Sequence, residues 1–179
     1  GQVLRQHLEA NVIGTHELTR RIIPAMRKAG TGRIVFCSSV LGFVSGPYRG
    51  AYCASKYAIE ALADAMRLEL KGSGIAVSII EPGPIETQFL PTTLSNFKRD
   101  IDIEKSPHKA AYEKRMAIME AGQPSAFRMG PEAVAAKVVH AVESTHPRIR
   151  YRVTIPTHMA AILKRVLPDR VLDQIVARW

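Results

Sequence analysis

The chain has 179 residues, 46% apolar and 23% charged, with a formal net charge of +9. That composition suits one folded domain and excludes a disordered tail or a membrane-spanning bundle, because no apolar run approaches the roughly 20 residues that cross a bilayer. The basic residues are scattered, aromatics make up only 6%, and no zinc-finger, helix-turn-helix or RNA-binding pattern accompanies them, so the charge reads as a solvated surface rather than a nucleic-acid footprint.

Along the chain, residues 2–28 place Leu4, Leu8, Ile22, Ile23 and Met26 at helical spacings, which predicts one long helix stopped by Gly30 and Gly32. "RIVFCS" (33–38) and "IAVSIIE" (75–81) are short apolar runs of strand-favouring residues, and "YCASKYAIEALADAMRLELKGSG" between them is a helix ended by Gly72 and Gly74. Strand, helix, strand with both faces apolar predicts an α/β fold, a parallel sheet covered by helices on both sides. Residues 88–130 form a long polar excursion with helical pieces such as "KAAYEKRMAIME", of the kind that serves as a substrate-binding loop or lid. "PEAVAAKVVHAVES" (131–144) is a helix opened by Pro131, "RYRVTI" is a last strand, and residues 157–179 are basic amphipathic helices broken at Pro168.

The chemistry starts with Tyr52 and Lys56, one helical turn apart and therefore on one face. Alone, that spacing is an ordinary surface pair. Ser39, thirteen residues before Tyr52, ends the first strand, and Pro82-Gly83 end the second, so two strand ends and a helix start converge on the carboxyl edge of the sheet, where open α/β sheets bind ligands. Gly83 is expected to admit a ligand to the backbone, and Pro82 to stiffen the turn. Cys37 and Cys53 fall in no metal or CxxC pattern and read as reduced core thiols in a cytoplasmic protein. His7, His16 and His140 sit on helices without ligand partners at i+3 or i+4 and read as structural, with no metal site.

Taken together, "NVIG" (11–14), "GRIVFCSS" (32–39), "YCASK" (52–56) and "EPGPIET" (81–87) resemble the short-chain dehydrogenase/reductase (SDR) family in order and spacing. The likeness extends over residues 1–155, and the tail is similar to that of bacterial NADPH-dependent aldehyde reductases and steroid- or retinol-dehydrogenase-like members. It implies a Rossmann-like doubly wound parallel sheet. One departure stands out: the family's glycine-rich TGxxxGxG turn and NNAG segment do not occur. "GTGRIV" leads into a strand instead of a helix and reads as a helix C-cap. The chain is therefore expected to be the C-terminal part of one longer domain, with about 100 residues of strand-and-helix units upstream.

Residue by residue, the resemblance implies that Tyr52 is the general acid/base and that Lys56 lowers its pKa and hydrogen-bonds the nicotinamide ribose. Ser39 binds the substrate oxygen; Ser38 is the competing hydroxyl, and the spacing favours Ser39. Asn11 holds a water that links Lys56 to solvent. Pro82, Gly83, Ile85 and Thr87 line the nicotinamide end, with Glu86 facing solvent. The implied activity is hydride transfer between NADP(H), ahead of NAD(H), and the carbonyl or alcohol of an apolar aldehyde, ketone, steroid or retinoid, in a homodimer or homotetramer. Two rival readings are a non-catalytic binding or regulatory protein of the same fold and a membrane-surface protein using its basic C-terminal helices.

Overall fold

A computed structural model describes residues 1–121 and 127–177. Its centre is a three-stranded parallel sheet of order β1-β2-β3, formed by β1 (Gly32–Cys37), β2 (Ile75–Glu81) and β3 (Arg150–Arg152). Register runs from Gly32 opposite Ile75 to Cys37 opposite Ile80, then Ile79 opposite Arg150. This is the α/β, Rossmann-like arrangement that the two apolar runs predict.

Strand alternation sorts the core into two layers. Phe36, Val77 and Ile79 face one side and pack on Ile59, Ala63, Met66 and Leu70 of α3 (Gly50–Glu69) and the turn that ends it, with Ile23 and Met26 of α2 (Gly14–Ala29) joining them. Ile80, Tyr151 and Val153 face the other side and pack on Ala141, Ala133 and Val134 of α6 (Pro131–Glu143). A third cluster seats α7 (Ile155–Val166) and α8 (Asp169–Val176) on the loop after β1, through Val44, Ala160, Leu172 and Val176. The apolar spacing of α3 delivers its inward face, and the chain then reverses through Gly72 and Gly74, both at positive φ; a Cβ on Gly74 would overlap the carbonyl of Gly30.

Four expectations are corrected. The first helix is interrupted: α1 (Gln2–Leu8) runs into a π-helical turn, Glu9–Ile13, before α2, which ends at Gly30 in the left-handed conformation. The polar excursion holds a helix that its Thr-, Ser- and Asn-rich sequence hides, α4 (Phe89–Asp100), ahead of α5 (Lys109–Glu120). "RYRVTI" is strand only at Arg150–Arg152, because Pro156 presets the first turn of α7. Cys53 is buried, but Cys37 is exposed, since β1 pairs on one side only among the described residues. The stretch 122–126 of the expected lid and the last residues, 178–179, lie outside the described residues.

Candidate active site

The end of β1 is tied to the end of β2. The N–H of Ser38 donates to the carbonyl of Ile80 (2.8 Å), and the N–H of Val40 donates to that of Pro82 (2.8 Å). Ser38 and Ser39 thereby point to opposite sides. Ser38 is buried beneath the site against Glu60, whereas Ser39 is half-buried at its surface and accepts a hydrogen bond from the N–H of Leu41 (3.2 Å). Of the two, only Ser39 has solvent-accessible surface beyond a trace.

Helix α3 brings Tyr52 and Lys56 to the same edge. Lys56 Nζ lies 5.7 Å from the Tyr52 ring centroid and donates to the carbonyl of Cys37 (2.9 Å). Burial pushes the phenol above the usual tyrosine range, with the Ser39 side chain beside it acting in the opposite direction. Burial likewise pushes the Lys56 ammonium down. Desolvation is the largest influence on the phenol here and sets the direction of its shift.

Asn11 lies in the π turn. Its Nδ2 donates to Ser55 Oγ (3.0 Å), which donates in turn to the carbonyl of Tyr52 (2.8 Å), so this amide nitrogen clamps the first turn of α3. The π turn also displaces main-chain carbonyls from the regular α-helical register at this point.

The segment after β2 is held by more than its own stiffness. A Cβ on Gly83 would overlap the hydroxyls of Thr154 and Thr157, so packing against the start of α7 by itself requires a glycine here. Ile85 forms a parallel bridge with Met129. Thr87 Oγ1 accepts the N–H of Phe89 (3.2 Å) and opens α4; Glu86 is exposed, as expected.

Three further residues belong to this edge. The rings of His7 and Phe89 pack on Tyr52 with centroids 5.9 and 5.6 Å away. Burial and then the charge of Lys56 push His7 down. Its position one turn before Asn11 was the signal that could have found it. Arg49 adjoins Tyr52 at the start of α3. By contrast, His140 is structural: its Nδ1 lies 2.9 Å from the hydroxyl of Tyr151 on β3. Among the described residues no His, Cys, Asp and Glu cluster could hold a metal, and no helix is long and apolar enough to cross a membrane.

Residues 2–96 match the short chain dehydrogenase family. The chain belongs to that family. It is 46% identical over 173 residues to the uncharacterized oxidoreductase YbbO of Escherichia coli K12, covering 97% of this chain and 58% of that protein. It is 34% identical over 176 residues to an NADPH-dependent 3-dehydrocapnine reductase of Ornithobacterium rhinotracheale, covering 96% of this chain and 60% of the relative. A crystallised short chain dehydrogenase from Burkholderia cenocepacia, in complex with NADP, shares the fold at a TM-score of 0.70 and 20% identity, over 97% of this chain and 60% of its own. The chain thus spans about three-fifths of the length of these three proteins.

For a nicotinamide cofactor the fit is to one half of the molecule. A half-buried ammonium, a phenol and the ordered Pro82–Thr87 turn suit a ribose and carboxamide. Among the described residues the positive-φ glycines, Gly30, Gly72 and Gly74, all lie at the opposite, amino edge of the sheet, away from where a pyrophosphate would rest.

Proposed function

We propose that this chain carries the catalytic half of an NAD(P)-dependent oxidoreductase that interconverts a carbonyl and an alcohol. The observation that carries the reading is the convergence of Ser39, Tyr52 and Lys56 at the carboxyl edge of a parallel sheet. Membership of the family supports it.

In the reducing direction Tyr52 donates its proton to the carbonyl oxygen, and in the oxidising direction it takes the hydroxyl proton. Ser39 donates a hydrogen bond to the same oxygen and fixes its position. Lys56 places a positive charge beside the phenol and hydrogen-bonds the cofactor's ribose. Asn11 holds α3 in place through Ser55, and the loosened carbonyls of its π turn offer acceptors for a water that carries the proton onward. Pro82, Gly83, Ile85 and Thr87 form the wall against the nicotinamide. The bound cofactor supplies or accepts the hydride. NADP(H) is favoured over NAD(H) by the NADPH dependence of the 3-dehydrocapnine reductase.

The substrate is an apolar aldehyde or ketone, a steroid or retinoid included, because Phe89 lies over Tyr52 and Phe127 and Met129 stand exposed on the lid side. A homodimer or homotetramer would use the first helix and α3, where Leu4, Ile13, Leu18, Ile22 and Leu68 are exposed. The test is NADPH oxidation by the enzyme expressed from its complete reading frame, with a panel of apolar aldehydes and ketones. Turnover that survives unchanged in Tyr52→Phe would refute the reading.

A further inference from the structure

Arg49 stands where α3 begins, three residues before Tyr52. Its Nε and Nη2 are shut off from solvent and make no hydrogen bond. Among the described residues the charged and polar groups that act on it are the Arg115 guanidinium, the Cys53 thiol and the Tyr52 phenol, with no carboxylate. Two buried guanidinium nitrogens left without an acceptor are an unfavourable arrangement unless something supplies one.

The loop is shaped to hold it there. Gly46 lies so close to the guanidinium that a Cβ at that position would overlap it. Tyr48 has φ 59, a left-handed conformation that a non-glycine residue holds only at a cost, and such strain gathers at ligand clamps. The reversal also lays the Tyr48 ring against α5, with centroids 5.4 Å from Tyr112 and 5.7 Å from His108. Arg115 follows Tyr112 by three residues, on the same face of α5, so the lid helix brings a second cation toward the first. Phe89, on the neighbouring α4, covers Tyr52 from the apolar side.

We infer that Arg49 binds an anionic group carried by the carbonyl substrate, a carboxylate, sulfonate or phosphate at one end of an otherwise apolar molecule. This deepens the oxidoreductase reading and rests on it. Arg49 is then a specificity residue: its forked donors match a planar or tetrahedral anion, and an uncharged analogue leaves them unpaired.

The experiment uses the enzyme from its complete reading frame and matched pairs of substrates, hexanal against adipic semialdehyde and decanal against sebacic semialdehyde, with NADPH. The wild type is expected to favour the semialdehyde of at least one pair by about tenfold or more in kcat/KM. Arg49→Met should erase that preference mainly through KM while changing the aldehydes by less than about threefold, and Arg49→Lys should restore part of it. Equal use of both members by the wild type, or an equal loss on both in Arg49→Met, would overturn the inference. The second outcome is what a purely structural arginine, paired elsewhere in the full enzyme, would give. If Arg49→Met does not fold, Arg49→Gln must show the same selective loss. Thermal melting with hexanoate against hexanol separates this inference from the catalytic one. An enzyme that reduces none of the aldehydes refutes the oxidoreductase reading, yet the anion site still requires hexanoate alone to raise the melting temperature, and Arg49→Met to abolish the rise.

Discussion

Lys56 Nζ lies 5.7 Å from the centroid of the Tyr52 ring, yet its hydrogen bond goes to the carbonyl of Cys37, 2.9 Å away. The lysine is thus anchored to the end of β1 while its charge stays beside the phenol. Burial acts on the two groups in opposite senses, raising Tyr52 and lowering Lys56. Both shifts keep the proton on the phenol, so Tyr52 is protonated at neutral pH and the phenolate is scarce.

The first prediction follows from that ordering. Carbonyl reduction should hold level across neutral pH, because the phenol remains protonated below its raised pKa. Alcohol oxidation should climb with pH, because its base is the phenolate, whose fraction grows as pH approaches the raised value. Initial rates in both directions check this; an oxidation profile that falls from neutral to alkaline pH would contradict it. Tyr52→Phe should lower turnover by about a thousandfold with little change in melting temperature, since it removes the proton and almost no volume.

A second prediction concerns the ion network beneath α3. Arg150 on β3 pairs with Glu60 (3.1 Å) and Asp64 (2.6 Å) on α3 and with Glu81 (3.0 Å) at the end of β2, while Arg152 takes the other oxygen of Glu81 (3.1 Å). Arg150→Met removes the cation that Glu60 shares with Asp64 and Glu81, and should cost about 3 kcal/mol. Adding Glu60→Gln should recover about 1 kcal/mol or more of that. Burial raises Glu60 above the ordinary glutamate value of 4.5. A raised acid adds stability fully below 4.5 and loses that contribution as pH rises through its folded value, so the Arg150→Met deficit should be largest at neutral pH and shrink toward pH 4.5. Denaturant melts of the wild type, single and double variants at several pH values measure it.

That network also shows where sequence reading stops. The two strands, α3 and the convergence of Ser39, Tyr52 and Lys56 were legible, because apolar runs, period and spacing along the chain encode them directly. The partners of Arg150 on α3, Asp64 and Glu60, lie 86 and 90 residues away in sequence, and nothing local marks them. Helix α4 was hidden for a different reason: Pro91, Thr92, Thr93, Ser95 and Asn96 are poor helix formers, and packing of Phe97 on Tyr112 and pairing of Lys98 with Glu120 hold it instead. The π turn at Asn11 is a single wide turn inside an otherwise helical run, too short for the apolar periodicity to reveal. Arg49 looked like any scattered surface charge until the fold enclosed it.

Gly83→Ala is the third prediction. The new methyl would meet the hydroxyls of Thr154 and Thr157, which are fully buried and 2.9 Å apart. Either α7 or the turn after β2 must shift, at about 1–3 kcal/mol. Because that turn is the proposed nicotinamide wall, the dissociation constant for NADPH should rise more than kcat falls. Calorimetric titration and thermal melting test the pair of effects, and a variant with wild-type melting and cofactor affinity would show that the contact is soft.

The last prediction concerns α4 and α5. Neither contains a buried residue, so they belong to the least stable part of the fold. They are nonetheless a unit: Phe97 packs on Tyr112 at 5.1 Å, Lys98 pairs with Glu120 at 2.7 Å, and Phe89 and Tyr112 reach α3 and the loop before it through Tyr52 and Tyr48. The ends of the unit are pinned together, with the N–H of Glu86 donating to the carbonyl of Met129 (2.9 Å) and the N–H of Met129 donating to that of Pro84 (3.2 Å). A pair of helices held at one base and resting on aromatic contacts should open and close as one body. Amide hydrogen exchange on the enzyme from its complete reading frame should therefore be faster in α4 and α5 than in β2, and should slow in both helices together when NADPH and a carbonyl substrate are bound. Phe89→Ala should reduce that protection, because it removes the contact that rests on Tyr52. If exchange in the two helices is the same with and without both ligands, they are a fixed wall of the site and not a lid.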